Sequence, residues 1–215
     1  MKPYDLIVFD WDGTLMDSTG TIARCIQLSC ADVGLPVPTL EAASHVIGLG
    51  LTDALAHFAP TAADAQVHAL VQRYKVHYLA GDANLVLFAG VEAFLQDLAG
   101  RGYQMAIATG KSRVGLDRAL SYTSIAHHFA ASRTADETTS KPHPHMLHEL
   151  MQELEVPPQR VLMVGDTTHD LEMATRAGTH AAAVSTGAHP EERLRTYPVV
   201  ACVPTVVHLS EHLLA

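Results

Sequence analysis

Short, wholly apolar runs recur along the chain, and several end in an acid, a hydroxyl or a glycine. They lie in DLIVFDW (5–11), YQMAIATG (103–110), HHFAASRT (127–134), RVLMVGD (160–166), HAAAVSTG (180–187) and VVACV (199–203). A strand half-exposed to water alternates apolar and polar residues, whereas LIVF and VLMV are apolar at every position. Such strands are buried on both faces, which is the condition of a parallel sheet covered by helices. The intervening stretches VEAFLQDLAGRG, MLHELMQELEV and LEMATRAG carry apolar residues at helical spacing. Strand and helix alternation of this kind predicts an α/β, Rossmann-like parallel sheet.

One segment departs from the alternation. Residues 17–86 are alanine-rich and helical by pattern, through TIARCIQLSCADVG, LEAASHVIG, LTDALAHFA and AADAQVHALVQRYKVHYLAG, with no strand among them. The expected organisation is a core of residues 1–16 and 87–215 with a small helical domain, 17–86, inserted after the first strand. At 215 residues the chain is long enough for both. Its net charge of −9 argues against a broad nucleic-acid surface, although local cations can still receive an anionic ligand. No apolar stretch reaches the length of a membrane span or forms a signal peptide at the N-terminus. Cys25, Cys30 and Cys202 lack metal-ligand spacing and read as small apolar residues of a reducing cytoplasm. His143, His145 and His148 read as a solvated helix face rather than a ligand set.

In open parallel sheets, ligands bind beyond the carboxyl ends of the strands. The first run ends at Asp10 and Asp12, the second at Thr109-Gly110-Lys111, and VLMV at Gly165-Asp166 with Asp170 just after. Lys141, in TTSKPHP, follows the third run and is expected at the same rim. If the strand conformation persists through Asp12, Asp10 and Asp12 share one face. Carboxylates crowded in this way need a cation, and an oxygen-bound Mg2+ bridging Asp10 and Asp166 suits them and a phosphate. A carboxylate beside a phosphoryl group can attack it, and a neighbour whose acidity the adjacent charge weakens can supply a proton. Asp10 and Asp12 are the candidates for these two tasks. Gly13 and Thr14 are expected to turn the chain and offer backbone N–H groups to phosphate oxygens, with Thr109, Gly110 and Lys141 neutralising the rest.

DWDGTL (10–15), IATGK (107–111), SKP (140–142) and GDTTHD (165–170) stand in the order of the four motifs of the haloacid dehalogenase superfamily of phosphohydrolases, which the chain resembles along its whole length. The resemblance implies a small C1-type cap at residues 17–86 and a nucleophile at Asp10 with a general acid/base at Asp12. It also implies Mg2+ held by Asp10, the main-chain carbonyl of Asp12 and Asp166, with Asp170 acting through a metal-bound water or through Lys141. Thr109, Gly110 and Lys141 are implied as phosphoryl ligands. The intact pair of aspartates separates the chain from the family's dehalogenases and phosphonatases. Order and length are most similar to phosphoglycolate phosphatase and its relatives.

The implied partner is therefore a small phosphorylated metabolite, and the implied reaction is hydrolysis through an aspartyl phosphate. The alternatives are a mutase of the β-phosphoglucomutase type, a pyrophosphatase or nucleotide phosphatase, and a phospho-accepting receiver domain. Family mutases often carry a cap arginine for a second phosphate, and the insert holds only Arg24 and Arg73. A receiver domain has no helical lid and is much shorter. Within the insert, HVIGLGLTDAL (45–55) is either a loop dipping into the site, with Gly48 and Gly50 allowing close approach and His45 reaching the leaving group, or a plain helix–turn–helix junction.

Overall fold

A computed structural model of the chain describes residues 2–60 and 63–213. Strand β1 (Leu6–Phe9) leads into four helices, α1 (Thr19–Asp32), α2 (Leu40–His45), α3 (Leu51–Ala56) and α4 (Asp64–Gly81). The chain then alternates through α5 (Val91–Gly100), β2 (Gln104–Thr109), α6 (Arg113–Thr123), β3 (Ala131–Thr134), α7 (His145–Glu153), β4 (Val161–Gly165), α8 (Thr168–Ala177) and β5 (His180–Val184). It closes with β6 (Ala201–Val203) between the single-turn helices Glu191–Leu194 and Ser210–Leu213. Residue 62, where the fourth helical stretch was expected to begin, lies outside the described residues.

The six strands form one sheet in the order β3-β2-β1-β4-β5-β6, and all pairings are parallel. Apolar residues on the two faces of β1 serve two separate cores. Ile7 and Phe9 pack with Val91, Phe94, Leu95 and Leu98 of α5, while Leu6 and Val8 pack with Met146, Leu147 and Leu150 of α7 and Leu171 and Ala174 of α8. This two-sided burial explains why the runs contain no polar alternation. The sheet order also locates the site. From β1 the chain winds outward to β2 and β3, then returns to the other side for β4, so connections leave β1 and β4 in opposite directions. The crevice opens at that switch point. Asp10 follows β1 and Asp166 follows β4.

Helices α1–α4 have an apolar cluster of their own, built on Ile22, Ile26, Val46, Ile47, Leu55 and Leu70. Two chain segments join them to the sheet, and these are cross-tied. Asp17 N donates to Val86 O at 3.0 Å, Phe88 N donates to Leu15 O at 3.0 Å, and Met16 forms an antiparallel bridge with Leu87.

Three features differ from the expectations. First, β1 stops at Phe9, so strand alternation does not carry Asp10 and Asp12 onto one face. The chain instead curls into a turn, with Leu15 N and Met16 N donating to Trp11 O and Gly13 at a φ of 84°. Only glycine takes that conformation without strain. Second, β3 covers only 131–134, and His127 and His128 belong to a single 3-10 turn before it. Third, α6 forms in a stretch not named as helical, with Leu116 as its only buried residue and Ala119 and Leu120 packed partly buried beside it. His143, His145 and His148 are all exposed. Among the described residues no helix is long and apolar enough to cross a membrane.

Candidate active site

Asp10 is almost fully buried, yet its two oxygens differ. Oδ1 accepts from Trp11 N at 2.6 Å and lies 2.8 Å from Lys141 Nζ, whereas Oδ2 is buried with no hydrogen-bond partner. Lys141 is fully enclosed and also donates to Asp170 Oδ1 at 2.6 Å. Asp170 is placed by a capping box at the start of α8, where its Oδ2 accepts from Thr167 N at 3.1 Å and from Thr167 Oγ1 at 2.7 Å. Asp166 is held by Thr14 Oγ1 at 2.8 Å and by Ala188 N at 2.7 Å. Carboxylate oxygens of Asp10, Asp166 and Asp170 all lie within 4.8 Å of one another.

Three buried carboxylates thus face one buried ammonium. Burial, the largest cause, pushes the Asp10 carboxyl up to about 7; Lys141 opposes this, and the charges of Asp170 and Asp12 add to it. Asp166 is raised well above the carboxylate range by burial and then by Asp10 and Asp170. Lys141 stays charged because Asp10 and Asp170 outweigh the opposing effect of its burial, which is the largest single cause. The cluster is short of positive charge. Its donors are all oxygens, and Asp10 Oδ2 is left for an external partner. The shortfall of positive charge and the oxygen donor set fit a hard divalent cation such as Mg2+.

Asp12 does not join this cluster. Its carboxylate turns to Lys111 Nζ, at 2.9 and 3.0 Å, and accepts from Ser18 Oγ at 2.6 Å. The charge nearest to Asp12 is therefore a cation, contrary to the expectation that a neighbouring carboxylate dominates it. Lys111 also donates to Tyr78 Oη on α4 at 2.7 Å and lies 4.7 Å from that ring's centre. Burial, aided by the Asp12 charge, pushes the Tyr78 hydroxyl up to about 12, and Lys111 opposes it. The sequence reading placed Lys111 at a strand end without giving it a task, and missed Ser18 and Tyr78. The only signal was the lysine directly after Thr109-Gly110.

The expectation for Gly13 and Thr14 needs correction. Gly13 N donates to Met16 O at 2.8 Å and Thr14 N points to Trp11 O at 3.4 Å, so both amides belong to the turn. What this segment supplies is the Thr14 hydroxyl on Asp166. Thr109 is buried at the end of β2, with its Oγ1 accepting from Lys111 N at 3.2 Å. Gly110 meets the cap directly, since a Cβ there would stand 2.6 Å from Gly48 O and closer still to Leu49 O.

The 45–50 segment divides in the same way. Gly48, with φ 96°, brings its backbone against Gly110 and Thr167, and Gly50 N donates to Ser140 Oγ at 2.6 Å. His45 points elsewhere. Its ring stacks on His189, 5.0 Å between centres, and its Nδ1 meets Arg193 at 3.1 Å. Its carbonyl takes the Nε2 contacts of His169 and His189 at 3.0 and 3.1 Å. His45 helps to seat the cap on the core and is not among the residues lining the cavity. That cavity, of about 380 Å³, lies between cap and core and has Asp10, Asp12, Thr109, Gly110 and Lys111 at its floor.

Comparison with known proteins agrees with this geometry. The family model "Haloacid dehalogenase-like hydrolase" matches residues 7–184. The chain is 34% identical to "Probable phosphatase IndB" of Dickeya dadantii over 91% of its length and 86% of the relative's. It is also 34% identical to a phosphoglycolate phosphatase of Aliivibrio fischeri, over 85% of this chain and 84% of that one. A haloacid dehalogenase-like family hydrolase from Streptococcus pneumoniae, 24% identical, superposes with a TM-score of 0.84 over 99% of both chains, which shows the shared fold. Matched through most of its length by sequence and by fold, the chain belongs to the haloacid dehalogenase-like hydrolases.

Proposed function

We propose that the protein is a Mg2+-dependent phosphatase that hydrolyses a small phosphomonoester through an aspartyl phosphate on Asp10. The observation that carries this reading is Asp10 Oδ2, a buried carboxylate oxygen with no partner, on a residue that follows β1 at the switch point of the sheet and lines the cavity. A carboxylate so placed is available to a phosphoryl group. Lys141 and Trp11 N hold its other oxygen and fix its orientation.

In this reading Oδ2 attacks phosphorus, the ester P–O bond breaks, and Asp12 gives a proton to the departing alcohol oxygen. Water then attacks the phosphorus of the acyl phosphate, Asp12 takes the water's proton, and Asp10 and free phosphate are regenerated. Lys111 and Ser18 hold Asp12 in position for both transfers. Thr109, Gly110 and Lys141 surround the transferring group, where donors already in place stabilise developing charge. Asp10 and Asp166, with the main chain of Asp12, would hold the Mg2+, which neutralises phosphoryl charge when bound. Asp170 acts through Lys141, 2.6 Å away.

Hydrolysis is preferred to a mutase reaction because neither cap arginine lines the cavity: Arg24 contacts Gln27 and Arg73 pairs with Asp32. Substrates resembling that of the phosphoglycolate phosphatases belong in the first panel on the strength of the relative's name. The test is phosphate release from a panel of phosphomonoesters with Mg2+ or with chelator, alongside Asp10→Asn. Release is expected to need Mg2+ and to fall by roughly 10⁴-fold in the variant, with the melting behaviour showing an intact fold. Near-parental turnover by Asp10→Asn would remove Asp10 as nucleophile.

A further inference from the structure

The walls of the cavity differ in kind from its floor. Above the carboxylates and Lys111, the cap turns half-buried Leu49, Leu51 and Tyr74 to the cavity, with edges of its core residues Ile22, Ile26 and Ile47 behind them. The mouth is also apolar. Leu79 on the cap side is 54% exposed and Val114 on the core side 76% exposed, and both border the opening. Leu79 and Val114 thus carry the apolar lining outward to the mouth.

Charge distribution points the same way. A substrate with a second anionic group needs a free cation beyond the phosphoryl floor. Of the cations lining the cavity, Lys111 is engaged by Asp12 and Tyr78, and Arg118 forks onto Asp82 at 2.6 and 3.2 Å. Lys75 is exposed at the rim, where an ion pair with a ligand contributes little. Asp136, whose carboxylate accepts from Arg113 N and Thr134 Oγ1, lines the cavity as well and repels a carboxylate, whereas Asp82 is neutralised by Arg118. A cavity of about 380 Å³ also far exceeds what the two-carbon glycolate leaving group fills.

We propose, building on the phosphatase reading, that this pocket selects a phosphomonoester whose alcohol is uncharged and predominantly apolar, in preference to phosphoglycolate or a bisphosphate. The aliphatic walls then take the leaving group out of water while Asp10 and Lys141 meet the phosphoryl end. Affinity for the alcohol comes from burial alone, so it scales with apolar area.

A homologous series of primary alkyl phosphates, methyl to octyl, isolates this effect because leaving-group acidity is nearly constant along it. The expected result is a kcat/KM that rises with chain length, by up to about fourfold per methylene while the chain is inside the pocket, and a phosphoglycolate value below that of butyl phosphate. Val114→Asp, a change at an exposed mouth position, is expected to flatten the gain for the longest members. A kcat/KM indifferent to chain length, or phosphoglycolate as the best substrate, overturns the assignment while leaving the phosphatase reading intact. Absence of Mg2+-dependent release from every ester overturns both.

Discussion

Gly110→Ala isolates the contact between cap and core, because the substitution keeps the backbone N–H and adds a single methyl group. That methyl would stand 2.6 Å from Gly48 O, with Leu49 O nearer still, whereas ordinary contact begins at 3.4 Å. Both obstacles are backbone atoms of a loop tied down by the Gly50–Ser140 bond, so no side chain can swing aside. The cap loop must therefore retreat by about 1 Å, and misplacement on that scale costs on the order of 10²-fold in rate. Global stability should change little, since the clash separates two docked units and leaves both cores intact. Gly115→Ala is the matched control: it lies in the first turn of α6 in the same cavity wall, and the nearest atom its Cβ would meet is the side-chain Oγ of Ser112 at 3.2 Å. Steady-state kinetics on the best ester, with thermal melts of both variants, decide the matter. Gly110→Ala turning over within threefold of the parent would refute the seated loop as the reactive arrangement.

Lys141→Met removes the only cation bonded to Asp10 and Asp170 among the described residues, and loss of one partner from a buried pair costs about 3–5 kcal/mol. The metal-free variant should melt well below the parent at pH 8 and approach it at pH 5, where Asp10 can take a proton; equal melting at pH 8 would count against the cluster. The Asp10 carboxyl, raised from 3.8 to about 7, binds its proton more tightly folded than unfolded. Its contribution is therefore full below about pH 4 and lost as pH rises through 7. Burial lowers His189 to about 4, which acts in the opposite sense between there and its ordinary 6.5, so the comparison must be between variants. Metal-free Asp10→Asn should gain in melting temperature over the parent between pH 5 and pH 8, and Mg2+ should reverse the gain; a pH-independent difference would refute the shift.

The acids of the site were legible in the sequence because a parallel sheet sends every strand's carboxyl end to one rim. Once the runs around LIVF and VLMV are read as neighbouring buried strands, Asp10, Asp166 and Asp170 have to converge, and the lysine of SKP has few other places to go. Lys111 was not legible in this way. Its two partners, Asp12 and Tyr78, lie 99 and 33 residues away, and the second belongs to the cap. His45 misled for the same reason: its position beside Gly48 suggested the cavity, while its ring follows the core histidines His169 and His189. Helix α6 was not among the helical stretches named, although Leu116, Ala119 and Leu120 give it a short stripe at helical spacing in an otherwise polar stretch.

The sequence alone determined the doubly covered parallel sheet, the helical insert and the four motifs, three at strand ends and one in an adjoining loop, since these follow from local periodicity and from which residues close each strand. Tertiary structure decided how Asp10 and Asp12 part company. With β1 ending at Phe9, the turn through Gly13 sends one carboxylate to Lys141 and the other to Lys111. It also decided the character of the pocket, because the aliphatic faces of α1, α3 and α4 meet Gly110 and Val114 only when the cap docks on the core. Burial and pairing of charge depend on contacts between residues far apart in the chain, and no local pattern encodes them.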